Sequence, residues 1–577
     1  MIELFLIALV FIAYWDAIKN GFVIDDQEGI LAYDGKLQGW NYGYFSRWLW
    51  HRIFQKEGRR HHLFSVIMHS ANTVLLYYFL GSLFSNSIAL FTAILFAVHP
   101  INVLSVAWAS ARSYLLGLFY SLLGLNLLQT HMTGLSTIPL FASNQPFTAI
   151  FMGLALVGYV FMYYLAIESQ FTNMFFFIIL ALLGYYPLAI LCFGVTMVLG
   201  GGIIKETITH RADTFKSQNL GLSTKLHHRK FIVVCKTLYY YTKLCLFPKR
   251  MGLYHVYNYH YDKKTEEEDY TFWLGFGLLL VGGYFLFTGP FIVKFAIVWY
   301  FSFVLIFLNW ITIHQFVSER YCYVANIGLC LLLASVLIHC PIIMAFVVGV
   351  FIMRTWSHLP TFADEIPFYQ SNIWNFPNSE VAFANLGVVY MKRGLMGSAM
   401  DMWFIGTNIN KDYDVAWYNL SSTMKAQGQL HKARDFLKKA VESPQCHFKE
   451  TWGKELNDLE HELNYLKEMD ELTKELDKYK EDPTKLEIVK QIGERVVQTN
   501  KMHLAFEEKR KNQLTLVQQE LSSMTVRKVQ LDSMVAELQK GVNLQELVKM
   551  RDKQWHLVKE DALRQLKGVK NDSIPNT

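Results

Sequence analysis

The sequence predicts a mostly α-helical protein: a polytopic membrane domain followed by soluble helices. Three observations predict it. Long apolar runs crowd residues 1–355, a 34-residue pattern repeats after residue 380, and residues 448–577 are a dense mixture of Lys, Glu, Asp, Gln and Leu. The chain has 577 residues, 52% of them hydrophobic and 15% aromatic, with a mean hydropathy of +0.20. The apolar residues are unevenly spread, so three regions follow: a membrane domain at 1–355, a repeat region at 356–447 and a helical, coiled-coil-like extension at 448–577.

The N-terminus lacks a basic leader and a small-residue cleavage site, so its apolar segment reads as a retained first span near residues 2–18. A polar and aromatic loop fills 19–63. Further apolar stretches of near-spanning length fall at 64–83, 87–106, 113–130, 146–165, 170–183, 188–204, 271–288, 290–309, 322–339 and 340–354, making about eleven spans. An odd number puts the first loop and the C-terminal region on one side of the membrane. Residues 231–247 mix apolar and aromatic residues with Lys236 and Lys243, the pattern of an interfacial helix. The result is a multi-pass integral membrane protein in contact with membrane lipid.

Residues 355–378 form a connector with Pro360, Pro367 and Pro377. Then Ala384-Asn385-Leu386-Gly387, Gly394 and Ala399 recur 34 residues later as Tyr418-Asn419-Leu420-Ser421, Gly428 and Ala433. That is the period and pattern of tetratricopeptide repeats, with small residues at the helix crossing and glycine in the turn. Two units are few, so flanking helices should cap the stack. Beyond residue 448, Leu456, Leu459, Leu463 and Leu466 are spaced as a packing seam, and Glu481-Asp482-Pro483 breaks the helix.

Net charge is +6, and no basic stripe interleaved with aromatics occurs, which argues against nucleic acid. The seven cysteines form no CxxC pair and suggest neither a disulfide framework nor a zinc site. His61, His62 and His69 lack a clear third and fourth ligand partner, so no metal and no cofactor are expected. A transporter is disfavoured because no paired internal repeats with broken helices are visible.

Asp25 and Asp26 stand just past the first apolar segment. Adjacent carboxylates at a membrane helix end are costly, which makes them a functional hypothesis; the competing reading is that they mark a helix end in water. One of them could take a proton from an acceptor hydroxyl.

Four stretches carry a family resemblance: Asn20-Gly21-Phe22-Val23-Ile24-Asp25-Asp26, His62 to Asn72, His99-Pro100-Ile101 through Val106-Ala107-Trp108 to Arg112, and Glu319-Arg320-Tyr321-Cys322-Tyr323. Over roughly residues 1–445 the chain resembles the GT-C membrane glycosyltransferases that carry tetratricopeptide repeats, including transmembrane O-mannosyltransferases and bacterial relatives. The resemblance implies inverting transfer of a mannose-like sugar from a polyprenyl-phosphate donor to a protein or glycan acceptor. It implies Asp25 as catalytic base, with Asp26 as its orienting or acceptor-binding neighbour. Arg112, Arg320 and Arg47 would contact the donor phosphate, and His99 and Glu319 would line the site. It implies a location in the endoplasmic reticulum or the bacterial inner membrane, with another organelle membrane as the alternative. The chain also departs from the family: Tyr44-Phe45-Ser46-Arg47-Trp48 lacks the usual proline, Gly184-Tyr185-Tyr186 lacks the usual Lys-Glu pair, and Ala325-Asn326 replaces a Pro-Ser. These losses support an alternative, a non-catalytic GT-C-derived scaffold that holds partner subunits through its repeats and C-terminal helices.

Overall fold

A computed structural model describes residues 1–36, 42–136, 230–253, 255, 270–308, 317–444, 446, 448–479, 483–485 and 487–508. Every regular element among them is helical. The chain divides into two compact units, Met1–Leu456 and Asn457–Thr577.

The first unit begins with α1 (Ile2–Tyr14), a 3-10 turn (Trp15–Lys19) and a loop that ends in a π turn (Gln27–Leu31). Then come α2 (Tyr42–Phe54), α3 (Gly58–Leu83), α4 (Asn86–Val98), the short α5 (Val103–Ala107) and α6 (Arg112–Ser136). After residue 229 follow α7 (Lys230–Leu246), α8 (Thr271–Thr288), α9 (Phe291–Val304), α10 (Cys322–Leu337) and α11 (Pro341–His358).

Among the described residues, four helical segments are long and apolar enough to cross a membrane: Gly58–Leu83, Thr271–Thr288, Glu319–Leu337 and Pro341–Phe362. A fifth arises if Asn86–Val98 and Pro100–Ala107 are one span bent by 51°. The bend has a cause, because Pro100 has no backbone N–H to continue the ladder and biases His99 out of the helical region. At the first expected span, α1 has only 13 residues, about 20 Å of helix, before the 3-10 turn. Near 290–309 the helix is the shorter α9. The expected span at 113–130 falls within α6 (Arg112–Ser136), and the spans expected at 146–165, 170–183 and 188–204 lie outside the described residues.

Burial separates these helices. The Glu319–Leu337 segment is central, with 67% of its apolar window buried, whereas α8 has 11%. Helix α10 packs on α4 and α9, and α3 packs on α1, α4 and α6. The helix expected to lie at the membrane surface, α7, is instead packed into the bundle. Its Val234, Leu238, Tyr241 and Cys245, spaced as one helical stripe, enter the core, while Lys243 faces out. Close helix contact needs missing side chains: Gly275 of α8 sits on the Cys235 carbonyl of α7, and Gly328 of α10 sits on the backbone of α9.

Past α11 come α12 (Glu365–Asn375) and two helical hairpins, α13/α14 (Glu380–Lys392, Met396–Ile409) and α15/α16 (Asp414–Ala426, Leu430–Glu442). Corresponding helices start 34 residues apart. Gly394 and Gly428, at φ 76° and 74°, make the two turns in a conformation that glycine adopts without strain. Ala399 and Ala433 are fully buried at the helix crossings. Gly387 leaves room for the Trp403 indole, whose Nε1 donates to the Ala384 carbonyl at 3.0 Å. The hairpins are flanked by α12 on one side and the start of α17 (Lys449–Tyr479) on the other, where Trp452 stacks on Tyr418 at 4.4 Å.

In the second unit α17 pairs with a helix over 487–508. Leu459, Leu463, Leu472 and Ile492 are buried, but Leu466 is exposed, so Leu466 lies outside the seam that its spacing suggests. Tyr465 stacks on His503 at 3.8 Å and donates its hydroxyl to Asn500 at 2.6 Å.

Replacing Gly275 by Ala should destabilise the bundle by roughly 1–3 kcal/mol, because the new methyl meets a carbonyl that cannot move independently of its helix. Gly277→Ala, on the same helix with nothing within 4 Å, should instead raise stability by about 0.5–1 kcal/mol, the helix-propensity gain of alanine over glycine. Thermal unfolding of both variants in detergent checks this.

Candidate functional site

The loop after α1 is tied down before it reaches the acidic pair. Asn20 Nδ2 donates to the Leu359 carbonyl at 3.0 Å, and the Gly21 amide donates to the Ala363 carbonyl at 3.1 Å. His62 Nε2 reaches the Gly21 carbonyl at 3.0 Å. Ile24 then takes φ 54°, a conformation costly for a β-branched residue. The turn separates the two neighbours: Asp25 is exposed and Asp26 is fully buried.

Asp26 is held from both sides. Its Oδ1 accepts the Ser110 amide at 2.8 Å and the Ser110 hydroxyl, and its Oδ2 faces the Val23 amide at 3.4 Å. Burial pushes its carboxyl up to about 6, against the pull of the Ser110 and Val23 hydrogen bonds and the nearby Arg112 charge.

Arg112 opens α6 two residues beyond Ser110 and is also buried. Its Nε donates to the Ala109 carbonyl at 3.0 Å, and an Nη donates to His61 Nδ1 at 2.5 Å. His61 Nε2 in turn donates to the Gln55 carbonyl at 2.9 Å, which fixes the ring as the Nε2–H tautomer. The guanidinium lies 5.1 Å over the Trp50 ring. Gln55, at φ 56°, is with Ile24 one of two non-glycine residues at positive φ among the described residues. Both belong to this cluster, and such outliers gather at functional sites.

The remaining expected site residues are placed as follows. Arg320 stacks over Trp108 at 5.0 Å and Tyr321 at 5.3 Å, so it meets the same 108–112 segment as Asp26. Glu319 points elsewhere and is fully buried: Oε1 accepts the Gly252 amide at 2.6 Å and lies 3.3 Å from His255 Nε2, while Oε2 is 4.0 Å from His358 Nε2. His99 is enclosed in the core. Its Nε2 donates to the Cys245 carbonyl at 2.8 Å, its Nδ1 accepts the Ile101 amide at 3.2 Å, and the ring packs on Phe351 at 4.4 Å. It joins α4, α7 and α11, because the kink before Pro100 frees an amide that the imidazole caps. Arg47 lies on α2, with its side chain outside the described residues.

The structure thus brings Asp26 and Arg320 to the 108–112 segment that carries Arg112, leaves Asp25 exposed beside it, and holds His99 and Glu319 on partners outside that segment. Ser110, Trp108, His61 and Trp50 join the cluster without having been assigned roles in it from the sequence. The Ser110-x-Arg112 spacing was a usable signal, since one turn of chain can present both to a carboxylate. Among the described residues no group of three or more His, Cys, Asp or Glu is arranged to hold a metal ion. Compared with protein-family models, curated proteins and solved structures, the chain gives no match.

Because the folded carboxyl of Asp26 is raised above its ordinary value, its contribution to stability is fully present below about pH 4 and is lost as pH rises through about 6. The difference in unfolding free energy between the parent and Asp26→Asn should therefore change by roughly 3 kcal/mol across that window, the parent losing ground as pH rises. Melting curves of both proteins from pH 4 to pH 7 measure it.

Proposed function

We propose that the chain is a membrane glycosyltransferase that moves a mannose-like sugar from a polyprenyl-phosphate donor to a hydroxyl of a protein or glycan, with inversion. The observation that carries this reading is the split acidic pair: Asp26 is pinned on Ser110 beside Arg112, and Asp25 is left exposed at the same turn. In the proposed step the acceptor oxygen attacks the sugar's anomeric carbon opposite the phosphate, and its proton passes to Asp25. The bond from that carbon to the phosphate oxygen breaks, and the polyprenyl phosphate leaves with the electron pair. Asp26 acts as a positioning residue for the turn. Arg112, Arg320 and Arg47 supply positive charge for the departing phosphate. No cofactor takes part.

The eleven-span GT-C layout and the tetratricopeptide nature of the hairpins belong to this reading, as does a location in the endoplasmic reticulum or bacterial inner membrane. The 34-residue offset of α13/α14 and α15/α16 supports the repeats, which would present a polypeptide acceptor.

One observation favours a second reading, a non-catalytic scaffold. Arg112 is 7% exposed, bonded to His61 and covered by Trp50, an arrangement that uses a cation for packing. In that case the repeats and C-terminal helices hold a partner subunit.

Transfer from radiolabelled polyprenyl-phosphate mannose and glucose to co-purifying proteins separates the two. Asp25→Asn should lower transfer by about a hundredfold or more while the melting curve stays that of the parent, since Asp25 is exposed. Parent and variant both at background would overturn the enzyme in favour of the scaffold.

A further inference from the structure

Three helices of the first unit end together, and side-chain bonds show it. Trp356, in the last turn of α11, donates Nε1 to the Ile12 carbonyl in the last turn of α1 at 3.0 Å. Arg354, one residue pair earlier, donates to the carbonyls of Pro248 at 3.1 Å and of Lys249, just past the end of α7. Around this junction large aromatic side chains are open to the outside: Trp15, Trp356 and Phe247 are 54%, 48% and 71% exposed. Lys243, in the last turn of α7, and Lys249 and Arg250 beyond it are also exposed. Among the described residues none of these three cations is engaged by a carboxylate.

Aromatic rings and cations at the ends of apolar helices have a physical meaning together. Indole rings favour the headgroup layer, where the ring is shielded and the N–H is wet. Lysine and arginine there attract anionic headgroups. Either group alone is ordinary surface. The combination, at three helix ends bonded to one another, is a rim built for one depth. A soluble acidic partner would use the cations but would give no reason for three open aromatic rings between them.

We propose that this rim, formed by Trp15, Phe247, Lys249, Arg250, Arg354 and Trp356, lies at a membrane–water interface and holds the phosphate headgroups of anionic phospholipid. The Asp26 cluster would then sit next to the headgroup layer, because the loop that carries it is bonded to Leu359 and Ala363, directly beyond the end of α11. The proposal does not depend on sugar transfer.

The test uses the full chain in nanodiscs of phosphatidylcholine with about a third phosphatidylglycerol, followed by quantification of the lipid retained after detergent extraction. The parent should retain phosphatidylglycerol in preference to phosphatidylcholine. Lys249→Gln with Arg250→Gln should lower that enrichment roughly tenfold. Lys249→Arg with Arg250→Lys should keep it. Lys411→Gln with Lys432→Gln, the same loss of charge at exposed positions of the hairpins, should leave it intact. No enrichment in the parent, or an equal fall in the rim and hairpin variants, overturns the proposal. Binding of an acidic peptide that is lost with Lys249→Gln and Arg250→Gln, with no phosphatidylglycerol enrichment in the parent, would overturn it in favour of a protein partner.

Discussion

The contact between the Asp26 carboxylate and Ser110 governs the arrangement around it. A carboxylate withdrawn from water is expensive, and it is tolerated only where hydrogen bonds replace the lost hydration. Ser110 supplies two donors, and the Val23 amide faces the other carboxylate oxygen. The bond spans 84 residues, so it closes the loop after α1 onto the start of α6. Once Asp26 faces inward, its neighbour must face outward. The strained conformation at Ile24 is the local cost of that division.

Around this contact the polar groups form a chain of obligations rather than a scatter of charges. Arg112 needs an acceptor and finds it in His61; His61 is then committed to the Nε2–H form and needs an acceptor of its own, the carbonyl of Gln55. The second strained residue is the one that offers that carbonyl. Deeper in the bundle His99 and Glu319 repeat the logic with backbone partners, His99 on Cys245 and Ile101 and Glu319 on Gly252. Buried polar side chains here pin segments that apolar packing alone would allow to slide.

The helices themselves were largely legible. Apolar runs located α3, α4, α8, α10 and α11, and the glycine and alanine positions at a 34-residue offset located both hairpins with their turns. The site was legible in part. The acidic pair, Arg112 and Arg320 were singled out on motifs, and the structure brings Asp26, Arg112 and Arg320 to the 108–112 segment. His99 and Glu319 carry the same chemical types but meet other partners, Cys245 and Ile101 for the one and Gly252 and His255 for the other. Two features were beyond reach: that α7 enters the core although two lysines interrupt it, and that Leu466 leaves the seam. Both depend on which face a neighbouring helix covers, which periodicity along one helix does not specify.

What the sequence determined by itself is therefore what is local. Helix follows from residue spacing, the kink from Pro100, and the turns from Gly394 and Gly428, because each is set by the sterics and periodicity of a few adjacent residues. Only the tertiary structure decided which of two adjacent aspartates is buried, which histidine meets an arginine, and which cations share a rim with exposed tryptophans. Those outcomes are fixed by partners tens to hundreds of residues away in the chain, whose approach is set by packing rather than by neighbours in sequence.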